Sequence, residues 1–233
     1  MKRSRLVLLV VTLVLVVDQA SKFWVKLNMP YGSEFEILGL ERALIHFVEN
    51  PGMAFGIEFG GSFGKLALSL FRVFAVGFLI YLIRQLVRQR ASRGLLVCFG
   101  LILAGAIGNI IDSAFYGLIF SASGTHTPAT LFPEGGGYAP FLYGRVVDML
   151  YFPLFDGHFP DWLPVWGGEY FLFFRPVFNV ADAAISVGVV CLIAFYSSFF
   201  RHEPTPEEPA SHEVPVVPAS EAPAHPSTAA SPE

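Results

Sequence analysis

Charge is what this chain has least of. Only 15% of its 233 residues are Asp, Glu, Lys or Arg, against about 25% in soluble domains. Hydrophobic residues make up 54%, and the mean hydropathy is +0.56. Apolar content this high, gathered in long blocks, implies an integral membrane protein. The net charge of −4 reflects an acidic C-terminal tail, and no basic, aromatic-laced patch suggests a nucleic-acid partner. Cysteine is nearly absent. Cys98 and Cys191 lie inside apolar runs with no CxxC partner and no neighbouring histidine, which argues against a disulfide framework and a thiol nucleophile; both read as small buried hydrophobes. No histidine sits at membrane depth beside Ser21, Ser69 or Ser186, and no HExxH occurs. A serine nucleophile and a zinc site therefore lack their partners.

What is present is four long apolar blocks. The first, at about 6–27, follows Lys2, Arg3 and Arg5 like a secretory leader. Its apolar character resumes beyond Asp18, however, and its length suffices to cross a hydrocarbon core, so it reads as a retained span. Further spans are expected at 66–87, 95–115 and 178–200. Arg72, near the start of the second, is expected to snorkel to the interface. Lys2, Arg3, Arg5, the Arg84/Arg88/Arg90/Arg93 cluster and Arg201 fall on one side of this arrangement. The positive-inside rule makes that side cytoplasmic, with both termini inside.

The outer loops are then 28–65 and 116–177. The first holds short strand-like segments at 35–38 and 44–48 and a turn at Asn50–Gly56. In the second, 121–140 reads as a mobile surface excursion, and the aromatic-rich 150–174 reads as a segment lying on the outer leaflet. The fold class is thus an all-α, four-span membrane protein over residues 1–202 with a small outer β element. The Pro/Ala/Ser/Glu-rich stretch 203–233 reads as a disordered cytoplasmic tail.

Polar residues inside spans are costly and tend to mark function. Asp18 and Lys22 share a face of the first span at i, i+4. Asn109 and Asp112 lie near the outer end of the third, and Asn179 and Asp182 in the first outer turns of the fourth. Asp148 approaches from the outer loop. All converge on the outer leaflet. Two carboxylates in such a site share a proton, which suits peptide hydrolysis: the ionised one draws a proton from water while the protonated one polarises the scissile carbonyl. Intramembrane carboxylates also mark ion paths, so a four-span transporter or proton-coupled protein is the alternative. That alternative expects polar groups through the whole depth and broken helices.

Five segments in order carry a family resemblance: Val17–Lys22 (VDQASK), Glu49–Gly56 (ENPGMAFG), Gly105–Asp112 (GAIGNIID), Gly144–Asp148 (GRVVD) and Phe178–Ile185 (FNVADAAI). Together they resemble lipoprotein signal peptidase (signal peptidase II), the bacterial inner-membrane aspartic protease. The GxGD motif of presenilin- and prepilin-peptidase-type proteases is missing. The resemblance implies Asp148 and Asp182 as the catalytic dyad, no metal or organic cofactor, and a diacylglyceryl-modified prolipoprotein substrate cut before the lipidated cysteine. It further implies a site toward the periplasmic face, contact with membrane lipid, and inhibition by globomycin-type peptides. Asn50 and Gly52 would belong to a β-cradle for the substrate; Asp18, Lys22, Asn109, Asp112, Arg145, Asn179 and Ala183 would support or line the site. The chain departs from the pattern at Ser113, where many members carry arginine, and Arg145 or Arg175 is expected to replace that guanidinium. It departs again in an insertion at 117–143, between Tyr116-Gly117 and Tyr143-Gly144, and in the tail.

Overall fold

The computed structural model describes residues 2–51, 61–173 and 176–196. Gly52, Arg175, the end of the fourth apolar block and the 203–233 tail lie outside the described residues.

The apolar blocks form helices α1 (Arg3–Asn28), α2 (Gly61–Arg88), α3 (Arg93–Ile111) and α5 (Val180–Tyr196). α3 runs on through a π-helical stretch at Asp112–Tyr116 and a closing turn, α4 (Gly117–Ile119). Such π stretches are frequent at functional sites. Three stretches, Arg3–Asn28, Gly64–Arg88 and Arg93–Ile119, are long and apolar enough to cross a membrane; α5 is apolar, with 17 described residues. Large hydrophobics such as Leu13, Phe74, Phe78 and Val190 point outward, as expected where lipid is the solvent.

Four antiparallel strands cap one end in the order β1 (Glu34–Ile37), β2 (Leu40–Asn50), β3 (Val146–Tyr151), β6 (Val177–Phe178). The strand expected at 44–48 falls within β2, and that expected at 35–38 overlaps β1, with Leu38 in the turn that follows. β4 (Phe155–His158) and β5 (Tyr170–Phe173) form a separate hairpin with Trp162, Val165 and Trp166 exposed between them.

One expectation about the helices needs correction. Phe178 does not open the fourth helix: it pairs with Leu150 as the last residue of β6, and the helix starts at Val180, after Asn179 has taken the capping position. The 121–140 stretch is largely exposed, as a surface excursion is, with Ala129 buried within it. Ala129 donates its amide to the Lys26 carbonyl, and Ser121 N–H bonds Thr130 O. A bridge joins Phe120 to Leu131.

Two hydrophobic clusters frame the molecule. One gathers Val7, Leu86, Leu96, Phe99 and Leu192; the other gathers Val25, Met29, Phe47, Tyr116 and Val147. Asp18 and Lys22 of α1 and Asn109 of α3 lie between them.

Candidate active site

The mouth of α5 is built as a reciprocal cap. Asn179 Oδ1 accepts from the Asp182 amide at 2.9 Å, and Asp182 Oδ2 faces the Asn179 amide at 3.4 Å, the logic of a capping box with Asn at the cap and Asp at the third helical position. A third helix-start amide, on Ala181, donates to Asp18 Oδ1 of α1 at 2.9 Å. Orphan N–H groups at a helix start need acceptors, and here carboxylates near the positive end of the helix dipole supply two of them.

Asn179 also reaches away from its own helix. Its Nδ2 donates to Asp148 Oδ1 at 2.7 Å and to Asn109 Oδ1 at 3.2 Å. Asn109 Nδ2 in turn donates to Asp182 Oδ1 at 2.8 Å. Each carboxylate, Asp148 from β3 and Asp182 from α5, is therefore held by one of two carboxamides that are hydrogen-bonded to each other, Asn179 on Asp148 and Asn109 on Asp182. β3 lies beside β6, the strand that leads directly into α5, which is how the long second loop returns Asp148 to Asp182.

Beneath them lies an ion cluster. Lys22 Nζ sits 2.9 Å from Asp18 Oδ2, 2.8 Å from Asp112 Oδ2 and 3.0 Å from Asn109 Oδ1. Lys22, Asp18, Asp112 and Asn179 are fully buried, and every buried side-chain nitrogen or oxygen among the described residues has a partner. Asp112 Oδ2 also accepts from the Val147 amide at 3.3 Å, fixing β3 one residue before Asp148. Gly108 permits this approach: a Cβ there would stand 2.6 Å from Asp18 Oδ2.

Asp148 is 4% exposed. Burial first, and then the neighbouring Asp182 charge, push its carboxyl up to about 7, against the opposing pull of hydrogen bonds from Asn179 and Asn50 and of the Lys22 charge. Asp182 is half-buried. Among the described residues no cluster of His, Cys, Asp and Glu could hold a metal ion.

The structure thus brings together Asp18, Lys22, Asn50, Asn109, Asp112, Asp148, Asn179 and Asp182. Ala183 lies in the first turn of α5, half-buried, its amide donating to the Asn179 carbonyl. Arg145 goes elsewhere. Its Nη1 lies 3.2 Å from Glu49 Oε2, and it stacks over Tyr138, because Glu49, held by Lys26 and Ser123, draws it to the outer rim. Sequence reasoning missed Gln19, which donates to Asp112 Oδ1 at 3.0 Å and accepts from the Tyr116 hydroxyl at 3.1 Å; its polarity inside an apolar block was the available signal.

Comparison with known proteins decides the family. The model described as Signal peptidase (SPase) II matches residues 10–199. The chain belongs to the signal peptidase II family. A lipoprotein signal peptidase of Porphyromonas gingivalis is 55% identical over 195 residues, covering 83% of this chain and 84% of that protein. One from Amoebophilus asiaticus is 40% identical, covering 78% of this chain and 73% of its own length. A solved bacterial membrane enzyme, determined in meso at 2.3 Å, shares the fold with a TM-score of 0.51 at 22% identity, over 85% of this chain and 93% of that one. As a signal peptidase II the chain is an aspartic protease with a membrane enzyme fold. The transporter alternative has no support: along α1 and α3 the carboxylates and carboxamides gather in one layer.

Proposed function

We propose that this signal peptidase II removes signal peptides from diacylglyceryl-modified prolipoproteins, cutting before the lipidated cysteine with Asp148 and Asp182 as its dyad. The observation that carries the proposal is the pair of carboxylates on two mutually hydrogen-bonded carboxamides, Asn179 for Asp148 and Asn109 for Asp182, where Asp148 is buried enough to keep its proton near neutrality. Asp148, pushed up to about 7, holds the proton and donates it toward the scissile carbonyl oxygen. Asp182, at the open edge of the pair, takes a proton from the attacking water. Water adds to the carbonyl carbon, the gem-diol collapses, and the amide nitrogen leaves as the amine after receiving a proton from the pair. The Asn179 carboxamide holds Asp148 and the Asn109 carboxamide holds Asp182 through each exchange, while Lys22 of the ion cluster below holds Asn109.

The proposed setting is four spans, α5 belonging to the fourth, with both termini cytoplasmic and the dyad toward the periplasmic face. Two features support that orientation: the basic residues gather at one end of the helices, and the sheet, with Asp148, caps the other. β2 and β3 form the cradle along which the extended substrate lies, with Asn50 at its rim; its side chain also hydrogen-bonds Asp148. The aromatic β4–β5 hairpin rests on the outer leaflet, as Trp-rich segments do at membrane interfaces. The purified chain with a lipidated prolipoprotein tests the proposal: a gel shift to the mature lipoprotein that globomycin abolishes supports it, and no shift with any lipidated substrate refutes it.

A further inference from the structure

Arg72 does not snorkel out of α2 as its position in the sequence suggests. Lys65, Ser69 and Arg72 lie at i, i+4 and i+7, on one helix face. Lys65 Nζ donates to the Tyr143 carbonyl at 2.6 Å, and Ser69 Oγ to the Leu142 carbonyl at 3.1 Å. These bonds turn the stripe toward the chain that leads into β3, and Arg72 follows it inward. Its Nη1 stands 3.5 Å from Ser113 Oγ, and the guanidinium lies within electrostatic reach of Asp182, Asp112 and Asp148. Ser113 is buried and spends its own proton on the Asn109 carbonyl at 3.0 Å. Its small side chain leaves room for the arginine and a lone pair to receive it.

The guanidinium is under-used. It has five N–H donors, and among the described residues only Ser113 Oγ meets one, at the outer limit of a hydrogen bond. No carboxylate among the described residues pairs with it. A cation inside a span is costly, and a half-buried fork with spare donors beside the carboxylate pair suits an acceptor that arrives with the substrate. A carbonyl oxygen has that chemistry, whether from the peptide backbone or from the acyl esters of the lipidated cysteine.

We propose that Arg72 is a substrate-positioning residue, held by Ser113 so that its guanidinium donates to a carbonyl oxygen of the bound substrate beside the Asp148–Asp182 pair. The proposal rests on the signal peptidase reading above. The test measures kcat and KM for the full chain in detergent–lipid micelles with a lipidated prolipopeptide. Arg72→Gln is expected to raise KM roughly ten- to hundred-fold, the range of a hydrogen bond to a charged group, with kcat within about two-fold because the dyad is untouched. Unchanged KM overturns the proposal, and so does a fall in kcat alone, which would place the charge on the chemistry and not on the substrate. If Arg72→Gln fails to fold, Arg72→Lys decides: it keeps the charge but loses the fork, and a raised KM supports the proposal while an unchanged one overturns it. A diether analogue that lacks the ester carbonyls separates the two sources. Loss of the Arg72 dependence with that analogue assigns the bond to an ester, and retention assigns it to the peptide. A wild-type chain that cleaves nothing removes the signal peptidase reading and this proposal together, whereas cleavage insensitive to Arg72 removes this one alone.

Discussion

Asn179 donates to Asp148 across 2.7 Å from the cap of α5, so the residue that starts the helix also aims the carboxylate on the neighbouring sheet. Replacing it separates the two duties. Asn179→Ala loses the cap, about 1 kcal/mol of stability, and frees Asp148 to move by an ångström or so, which costs roughly a hundred-fold in kcat. Asn179→Ser restores most of the cap but cannot bridge to both Asp148 and Asn109, so it regains the unfolding temperature and not the rate. Thermal unfolding in detergent beside turnover of a lipidated prolipopeptide checks the split.

Lys22 is the one cation placed between Asp18 and Asp112. Lys22→Met leaves two buried carboxylates unpaired, which costs about 3–5 kcal/mol. The expected result is loss of folded protein from the membrane, read as detergent-extractable monodisperse yield, and not an inserted but inactive enzyme.

Asp148 gives the pH dependence its sign. Its carboxyl titrates well above the ordinary carboxylate range, at about 7. Its contribution to stability is therefore full below the ordinary carboxylate pKa and fades as pH rises through about 7. The dyad loses its donated proton over the same upward range. Cleavage rate should fall as pH climbs through neutrality, with a small parallel drop in unfolding temperature; a pH–rate profile from about 5 to 9 shows the limb.

Gly108 and Gly77 form a matched pair. A Cβ on Gly108 would meet Asp18 Oδ2 at 2.6 Å and Ala181 Cβ at 3.1 Å, whereas a Cβ on Gly77 meets nothing within 4 Å. Gly108→Ala is expected to destabilise by about 1–3 kcal/mol through overpacking and to cut activity by moving the α5 cap. Gly77→Ala should be neutral or stabilising by up to about 1 kcal/mol. Equal effects from the two substitutions would contradict the close approach of α1, α3 and α5.

Much of the site was legible because its residues are anomalous where they stand. Asp18 and Lys22 one turn apart, Asn109 and Asp112 at one helix end, and Asn179 before Asp182 each break an apolar run, and their positions along spans oriented by the basic residues put them at a common depth. Lateral direction was not legible. Arg72 reads from sequence as snorkelling, and only the bonds of Lys65 and Ser69 to the 142–143 backbone turn it inward. Arg145 stands three residues before the β3 aspartate in sequence, yet Glu49, a strand away, decides its direction. The 121–140 stretch has the composition of an exposed loop and is largely exposed, but the backbone bond from Ala129 to Lys26 of α1 is encoded by no composition. Phe178 belongs to a helix by hydropathy and to a strand by its pairing with Leu150.

The claim at the centre is that Asp148 and Asp182 together perform the hydrolysis. Each aspartate is to be replaced singly by asparagine, and cleavage of a lipidated prolipoprotein measured for the purified proteins after their folding is verified. Asp148→Asn and Asp182→Asn should each reduce cleavage by roughly a thousand-fold or more, as expected when a paired acid–base group is removed, while the protein still inserts and unfolds cooperatively. Cleavage at the wild-type rate by either variant would contradict the account.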